Sequence, residues 1–215
     1  MMRILLTGFE PFGGERENPS QACVQTLAAR GSGDYELDAL ILPVQRGAAP
    51  ERLIERIDSM LPGVVLMLGE AGGRHAITPE RVALNVDDFN MPDHSGEQPR
   101  DEPIARGGPA AYLSTLPVRS MVDALQSAGI PAGISNSAGT YLCNHVFYRV
   151  MHHLDLTRAP GKPRPRAGFV HLPYLSTQAL DPRLQRPSLP LHTQVLAIEI
   201  VLGVLGRESV DNRPR

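Results

Sequence analysis

Apolar and polar positions show two different periodicities along this chain. Short runs rich in Val, Ile and Leu are each followed by a stretch whose apolar residues recur at helical spacing. The pattern predicts strands at 3–9, 37–44, 64–68, 81–86, 133–137 and 167–172. It predicts helices that begin at 18–20 and that span 49–61, 118–128, 141–154 and 191–205. This alternation predicts an α/β sandwich with a largely parallel sheet between helices.

Two of these elements carry clear local signals. The run at 64–68 is entirely apolar, as expected of a strand that is covered on both faces. Asn18-Pro19-Ser20 combines a capping residue with proline at the first helical position. In parallel α/β folds, ligands bind beyond the carboxyl ends of the strands, so we expect a site near the loops that follow 3–9, 64–68 and 167–172.

The length of the chain limits the number of domains that it can form. At 215 residues it can bury one sizeable core, and we predict a single domain over 1–215. A long polar loop that includes 92–103 follows the strand at 81–86. The basic, proline-rich stretch at 158–166 predicts a mobile surface loop. The last residues, from about 208 to 215, are predicted to fray.

Composition and charge exclude several classes of partner. Hydrophobic residues make up 42% of the chain and charged residues 20%, and the formal net charge is −2. This balance favours neither nucleic acid nor a membrane as a partner. The apolar run at the N-terminus is too short for a signal peptide, and the run at 195–205 is broken by Glu199 and too short to span a bilayer. We therefore expect a cytoplasmic protein.

Cys143 is the first candidate for chemistry. The chain has two cysteines, too few for a disulfide framework or a zinc pattern, and Cys23 is interpreted as a small buried hydrophobe in a helix. Cys143 falls in the first turn of the helix at 141–154, with Thr140 as the expected N-cap and Cys143 as the third helical residue. Free backbone N–H groups and the helix dipole favour a thiolate there. A lone cysteine is nonetheless more often structural than catalytic.

A nucleophilic cysteine needs a base, and seven histidines are available. His171 ends an apolar strand, at the edge where a sheet presents residues to a cleft, although by itself it fits a buried core histidine better. His145 lies two positions from Cys143 on the same helix, a spacing that directs the two side chains apart. His171 is therefore the candidate base.

A carboxylate that could orient this base stands just before the predicted strand at 81–86. Glu80 could accept a hydrogen bond from a histidine, as the third member of a nucleophile–base–orienter set requires. Its alternative is an ordinary salt bridge with Arg74 or Arg81. The residues alone leave both interpretations open.

Two other classes of function fit parts of the sequence. Carboxylates and a histidine cluster in the long polar loop, namely Asp87, Asp88, Asp93 and His94. Their spacing matches no recognised zinc or calcium motif, so a turn-rich polar loop explains them better than a metal-dependent hydrolase does. The second alternative is a small-molecule binding protein without chemistry. The presence of a cysteine, a histidine and a carboxylate at all three candidate positions counts against it.

Five segments together carry a family resemblance. In chain order they are LTGFEPFGG at 6–14 with NPS at 18–20, GEAGGR at 69–74, ITPERVALN at 77–85, GTYLCNH at 139–145 and GFVHLP at 168–173. They resemble the pyroglutamyl peptidase I family, the cysteine peptidases also called pyrrolidone-carboxylate peptidases. One match is weak evidence, but five in family order over nearly the whole chain are specific.

The resemblance implies both a fold and an activity. The fold is a single-domain, three-layer α/β/α sandwich with a mostly parallel, mixed central sheet, phosphorylase/hydrolase-like. The activity is hydrolysis of the bond after an N-terminal pyroglutamyl residue of a peptide, through a thioester acyl-enzyme, with release of pyroglutamate. Cys143 is implied as the nucleophile, His171 as general base and then general acid, and Glu80 as the carboxylate that orients His171. We expect no cofactor or metal, and a homo-oligomer, either a dimer or a tetramer.

The resemblance also implies a flat apolar slot for the lactam ring, with a few polar groups at its edge. The implied substrate-binding residues are Phe9, Phe12, Asn18, Glu70, Met91, Tyr141 and Leu142. Asn18 either contacts the substrate or only caps its helix.

Two positions depart from the family pattern. Glu70 stands where relatives can carry Gln, and an ionised Glu can only accept hydrogen bonds. We expect it either to accept from the lactam N–H or to hold a nearby loop. Asn90 stands where some relatives carry Arg, so no charged group is expected there.

Overall fold

The computed structural model describes residues 2–31, 34–158, 164–181, 183 and 185–211. Its strands are β1 (Met2–Phe9), β2 (Tyr35–Leu42), β3 (Val64–Glu70), β4 (Thr78–Pro79), β5 (Val82–Leu84), β6 (Ala111–Leu113), β7 (Arg166–Leu172), β8 (Tyr174–Leu175) and β9 (Ser188–Leu189). Its helices are α1 (Pro19–Arg30), α2 (Ala48–Met60), α3 (Val118–Ser127), α4 (Leu142–Leu156) and α5 (Leu191–Asp211), with a 3₁₀ turn at Ser176–Ala179.

Five of the strands form one central sheet in the order β2-β1-β3-β7-β4. The first four run parallel to one another, and the two-residue β4 pairs antiparallel with β7 at one edge. The prediction of a mostly parallel, mixed sheet is confirmed. Because parallel strands end at the same edge, the segments after β1, β3 and β7 meet there.

Alternate residues of the central strands face two separate hydrophobic cores. Ile4 and Leu6 of β1 pack with residues of α1, α3 and α5, whereas Leu5 packs with residues of α2 and α4. Every residue of β3 is buried, because helices cover both of its faces. Burial of each leucine in such a strand stabilises the fold by roughly 2 kcal/mol. The three-layer α/β/α arrangement is confirmed.

Two predicted strands differ from those observed. The segment at 133–137 forms no strand and makes only an isolated bridge between Ser135 and Glu80. Its sequence, Gly-Ile-Ser-Asn-Ser, offers little apolar surface to bury, and β4 occupies the sheet edge beside β7 instead. The strand predicted at 81–86 shortens to β5, which forms a hairpin with β6 outside the central sheet.

The last helix is longer than its apolar pattern. The pattern predicts an end at 205, but α5 continues to Asp211 and so enters the stretch predicted to fray; residues 212–215 lie outside the described residues. In the loop predicted at 158–166, residues 159–163 likewise lie outside them. Within the described chain, no helix combines the length and the apolar character needed to cross a bilayer.

Candidate active site

Cys143 lies at the start of α4, beyond the carboxyl edge of the sheet. Tyr141 is the N-cap and Leu142 the first helical residue, so Cys143 is the second helical residue rather than the predicted third. Thr140, the expected cap, instead donates its hydroxyl to the carbonyl of Asp88, 2.9 Å away. The prediction of the cap is wrong by one residue because the threonine hydroxyl binds a distant loop.

The first turn of α4 is suited to stabilising negative charge. The first helical hydrogen bond runs from the His145 N–H to the Tyr141 carbonyl, at 3.1 Å. The amide groups before it, including that of Cys143, have no acceptor within the helix. Together with the positive end of the helix dipole, they suit an oxyanion formed next to the sulfur.

The antiparallel edge of the sheet brings His171 and Glu80 together. His171 lies in β7 opposite Thr78 of β4, and Glu80 directly follows β4. The Glu80 N–H donates to the Phe169 carbonyl at 2.8 Å, and Glu80 Oε1 lies 2.7 Å from His171 Nδ1. With the Nδ1 proton donated to the carboxylate, Nε2 is left to accept a proton. The candidate base and its candidate orienter are therefore in direct contact.

Gly69 lets the thiol approach the same place. It lies opposite His171 in the parallel register of β3 and β7. A Cβ on Gly69 would stand 2.8 Å from Cys143 Sγ and 2.7 Å from the ring of Phe169, far closer than atoms can pack. Because residue 69 has no side chain, the sulfur packs directly against the strand that pairs with the His171 strand.

Glu80 also forms a salt bridge. Its contacts therefore match both interpretations of this residue, as the partner of a histidine and as the partner of an arginine. Arg74 Nη1 lies 2.6 Å from Glu80 Oε1, the oxygen that also binds the histidine. The same Nη1 donates to the Thr78 hydroxyl at 2.6 Å. Arg81, the other predicted partner, donates to the Asn136 side chain at 2.7 Å. One carboxylate oxygen therefore joins a surface-reaching arginine to the buried histidine.

Burial shifts the pKa values of Cys143, His171 and Glu80, and their neighbours add to these shifts or oppose them. It raises the pKa of the Cys143 thiol to about 12, and the carboxylates of Glu80 and Glu70 act in the same direction. Burial lowers the pKa of His171 against the opposing effect of Glu80. Burial also opposes ionisation of Glu80, but its contacts with His171 and Arg74 hold the pKa of this carboxyl below its usual range.

At neutral pH the resting site therefore holds a thiol, a neutral imidazole and a carboxylate. The thiolate that the helix start is predicted to favour is therefore opposed by burial and by the two carboxylates. The dipole and the free N–H groups act instead on charge that forms during a reaction.

A cavity open to solvent is lined in part by Cys143, and its empty space, with the adjoining solvent included, is about 250 Å³. Its lining residues are Phe9, Phe12, Asn18, Val44, Glu70, Tyr141, Leu142 and Cys143. Met91 is the one predicted pocket residue that does not line it; the Met91 sulfur lies 3.9 Å from where a Cβ on Gly13 would stand. Asn90 is exposed and does not line it either. Val44 escaped prediction, although it ends the predicted strand at 37–44 and so lies at the edge where sites form.

Aromatic rings give the cavity apolar walls. The ring centroids of Phe9 and Phe169 are 6.4 Å apart, and those of Phe12 and Tyr141 are 6.2 Å apart. The buried ring of Phe89 meets Tyr141 edge-on at 4.6 Å. Flat apolar walls of this kind suit an uncharged ring better than a charged group.

Asn18 and Ser20 hold the loop that carries the two phenylalanines of the cavity. Asn18 Oδ1 accepts from the Ser20 N–H at 2.9 Å and from the Ser20 hydroxyl at 2.7 Å, and Asn18 Nδ2 donates to the Glu10 carbonyl at 3.1 Å. Ser20 Oγ accepts the Phe9 N–H at 3.0 Å. The approach is close enough that a Cβ on Gly8 would stand 2.6 Å from the Ser20 carbonyl oxygen. Asn18 therefore caps its helix and also lines the cavity.

Glu70 supplies the acidic group of the cavity. It is only 9% exposed, and its Oε2 accepts from Gln178 Nε2 at 2.8 Å. The same Gln178 nitrogen also donates to the Glu17 carbonyl at 3.4 Å. Burial raises the pKa of Glu70 to about 7, with Glu15 acting in the same direction and the Gln178 bond and Arg186 opposing it. No sequence signal links Glu70 to Gln178, which follows it by more than a hundred positions.

The buried position of Glu70 predicts a pH-dependent effect on stability. In the unfolded chain this carboxyl ionises near its ordinary pKa, whereas in the fold it keeps its proton until about pH 7. Folding is therefore penalised as pH rises from about 4.5 to 7, and the penalty is constant above that range. Relative to the native chain, Glu70→Gln should gain about 2–3 kcal/mol of unfolding free energy between pH 4.5 and pH 8.

Urea unfolding at the two pH values measures this difference. Glu55→Gln, at an exposed position of α2, is the matched control and should shift by less than about 0.5 kcal/mol. Parallel stability curves for Glu70→Gln and the native chain would contradict the buried, titrating carboxyl.

The acidic residues of the polar loop do not form a metal site among the described residues. Within the described ranges, no group of three His, Cys, Asp or Glu side chains could hold an ion. Asp87 is bound to His145 at 2.8 Å, and Asp93 Oδ1 accepts from the Ser95 hydroxyl at 2.7 Å. These contacts favour the interpretation of a folded polar loop over that of a metal-dependent hydrolase.

Comparison with known proteins gives consistent relatives. A model of the family described as Pyroglutamyl peptidase matches residues 2–208. The chain is 50% identical over 202 residues to a pyrrolidone-carboxylate peptidase of Vibrio vulnificus (strain YJ016), which covers 94% of this chain and 92% of the relative.

Solved structures give the same result. The pyroglutamyl peptidase I of Bacillus amyloliquefaciens is 38% identical, with a TM-score of 0.88 over 95% of each chain. The pyrrolidone carboxyl peptidase of Thermococcus litoralis is 37% identical, with a TM-score of 0.92 over 99% of this chain and 97% of the other.

Proposed function

The chain belongs to the pyroglutamyl peptidase family, and we propose that it uses Cys143, His171 and Glu80 to hydrolyse the bond after an N-terminal pyroglutamyl residue. Its class is that of a cysteine-type peptidase, and its substrates are N-terminally pyroglutamylated peptides. The observation that carries the assignment is the 2.7 Å contact between His171 Nδ1 and Glu80, at the point where Gly69 admits the Cys143 sulfur.

The first half of the reaction forms the acyl-enzyme. As Cys143 attacks the pyroglutamyl carbonyl carbon, the thiol proton passes to Nε2 of His171, and the carbonyl becomes an oxyanion next to the start of α4. The imidazolium is stabilised by Glu80. His171 then gives its proton to the leaving amine, the C–N bond breaks, and a thioester remains on the sulfur.

The second half releases pyroglutamate. Neutral His171 takes a proton from water while the water oxygen attacks the thioester. The second tetrahedral intermediate collapses with loss of the Cys143 sulfur, which recovers the proton from His171. The resting thiol and neutral imidazole fit this cycle, because the thiolate is needed only while it is attacking or leaving.

The cavity matches the shape and polarity of the lactam. The walls formed by Phe9, Phe12 and Tyr141 suit a flat uncharged ring, and the buried Glu70 offers an acceptor for one N–H. A free N-terminal amine would bring a positive charge into this largely apolar slot and lose its hydration, and Glu70, which its raised pKa keeps partly protonated at neutral pH, offsets only part of that loss. We therefore expect selection of a pyroglutamyl group over a prolyl group of the same ring size.

A chromogenic assay tests the proposed function. A pyroglutamyl anilide should release its aniline under reducing conditions, and the prolyl anilide should react about 10³-fold more slowly or worse. Activity should persist with a chelator and disappear after thiol alkylation. Failure to turn over the pyroglutamyl anilide, with the protein folded and reduced, would overturn the proposal.

Two broader features of the protein are also part of the proposal. We expect it to work in the cytoplasm, where its two free cysteines stay reduced. We also expect a homo-oligomer, either a dimer or a tetramer, which sedimentation at several concentrations would distinguish from a monomer.

A further inference from the structure

A buried ionic cluster lies beside the cavity and takes no part in the chemistry described above. At its centre is Asp87, whose side chain is fully buried. Asp87 Oδ2 accepts from Arg46 Nε at 2.7 Å, and both of its oxygens contact Nδ1 of His145, at 2.8 and 3.0 Å. These three residues come from three separate segments: the turn before α2, the polar loop and helix α4.

Each arm of the cluster leads to one wall of the cavity. Arg46 follows Val44 by two positions, and Val44 lines the cavity. His145 stands on the first turn of α4, four positions after Tyr141, which also lines the cavity. Asp87 therefore connects the segments that carry these two lining residues.

The polar loop is fastened to the Val44 segment by more than the salt bridge. The Val44 carbonyl accepts from the His94 N–H at 2.8 Å, and the Arg46 N–H donates to Asp93 Oδ2 at 2.6 Å. Arg46 also forms salt bridges with Glu97 at 3.4 Å and Glu102 at 3.6 Å. The Arg46 guanidinium thus contacts three carboxylates of this loop, those of Asp87, Glu97 and Glu102.

The loop is fastened to the α4 side in a second set of contacts. The Asp88 N–H donates to the Thr140 carbonyl at 3.0 Å, and the Thr140 hydroxyl donates to the Asp88 carbonyl at 2.9 Å. The fully buried Phe89 packs edge-on against Tyr141. The loop that begins at Asp87 therefore binds both the Val44 segment and the segment that leads into α4.

The histidine of the cluster supports a positioning role. His145 is 2% exposed, and its Nε2 is buried with no hydrogen-bond partner among the described residues. An unsatisfied buried nitrogen costs stability. Its hydrogen bonding among the described residues is therefore to Asp87, through Nδ1.

From these contacts we infer that Arg46, Asp87 and His145 form a clamp that sets the separation of the Val44 and Tyr141 walls and so determines affinity for the pyroglutamyl ring. The inference rests on the proposed function. The clamp residues position the pocket and do not touch the reacting atoms. Loosening the clamp should weaken ring binding while leaving the Cys143–His171–Glu80 chemistry intact.

Arg46→Gln is the principal test variant, because Arg46 keeps about a quarter of its side chain exposed and a glutamine amide can still donate to Asp87. Its unfolding midpoint is measured alongside, because the substitution leaves the buried carboxylate without its cation. We expect KM for the pyroglutamyl anilide to rise about tenfold, with kcat within threefold, since a small misplacement of binding groups far from the chemistry costs a factor of this size or more. The KM of Arg46→Lys, which keeps the charge, should lie between the KM of the native chain and that of Arg46→Gln. Asp87→Asn, checked for folding by its unfolding midpoint, should act in the same direction.

A binding measurement that needs no turnover accompanies the kinetics. The bare lactam 2-pyrrolidone should protect Cys143 from iodoacetamide, and the concentration that gives half protection should rise about tenfold in Arg46→Gln. Arg100→Gln is the matched control, because it removes an exposed ion pair with Asp88 of the same loop, at 3.7 Å. Its KM and half-protection concentration should stay within twofold of the native values.

The outcomes separate the clamp from the proposed function. Equal KM and half-protection values for Arg46→Gln and Arg100→Gln would overturn the clamp while leaving the peptidase assignment in place. A fall in kcat with unchanged KM would also overturn it, since the cluster would then act on the triad. If 2-pyrrolidone did not protect the native chain and no anilide were hydrolysed, the proposed function would fail and the clamp with it.

Discussion

Cys143→Ala should lower kcat/KM for a pyroglutamyl anilide by about 10⁴–10⁶-fold, the range observed when a covalent nucleophile is removed. No acyl-enzyme can form without the sulfur, and the cavity and the oxyanion donors that remain give only a small residual rate. The substitution removes one atom that packs against Gly69, so the fold should be retained. Kinetics with the native chain, in parallel with an unfolding curve, measure both effects.

The second cysteine provides the matched control. Cys23 in α1 is fully buried, and burial raises the pKa of its thiol to about 12. Cys23→Ala makes the same chemical change in the core, so it should lower stability by about 1 kcal/mol and leave kcat/KM within twofold. Iodoacetamide should label Cys143 alone in the folded protein, because the cavity gives the reagent access to that sulfur and His171 can take its proton, whereas Cys23 is sealed in the core. Full activity in Cys143→Ala, or its loss in Cys23→Ala, would rule out Cys143 as the nucleophile.

The positions of the candidate triad residues could be predicted from local sequence pattern only in part. His171 was predictable as a strand-end residue, and Glu80 as a carboxylate next to the sheet, because both follow from periodicity at the edge where parallel strands end. Their contact was not predictable from periodicity. It depends on the two-residue β4, which pairs antiparallel with β7 and is too short to give a pattern. The family resemblance supplied this pairing.

The features that the sequence pattern does not predict depend on contacts between residues far apart in the chain. Thr140 fails as a cap because its hydroxyl binds Asp88, 52 positions earlier in the chain. The rise in the pKa of the Cys143 thiol was not predictable from its position on the helix, because burial is a property of the whole fold. The hydrogen bond by which Arg46 holds Asp87 of the polar loop is likewise a contact that no spacing rule reveals.

The role of Glu80 makes the second large prediction. Glu80→Gln should lower kcat by about 10³-fold, with KM within threefold, because substitution of the orienting carboxylate in a comparable triad costs up to about 10⁴-fold. An amide either turns its NH₂ toward Nδ1 and forces the proton onto Nε2, or accepts from Nδ1 without stabilising the imidazolium. In both cases the positive charge of Arg74, which already disfavours protonation of His171, is no longer neutralised.

Arg74→Gln distinguishes orientation from structural support. It removes the other partner of the same carboxylate oxygen but leaves the Glu80–His171 contact in place, so kcat should fall only about tenfold. Were Glu80 only a structural ion-pair partner, both substitutions would reduce stability to a similar degree and leave kcat of the folded protein unchanged. A hundredfold difference in kcat between the two variants, at equal KM, therefore assigns the carboxylate to the chemistry of His171 rather than to the salt bridge.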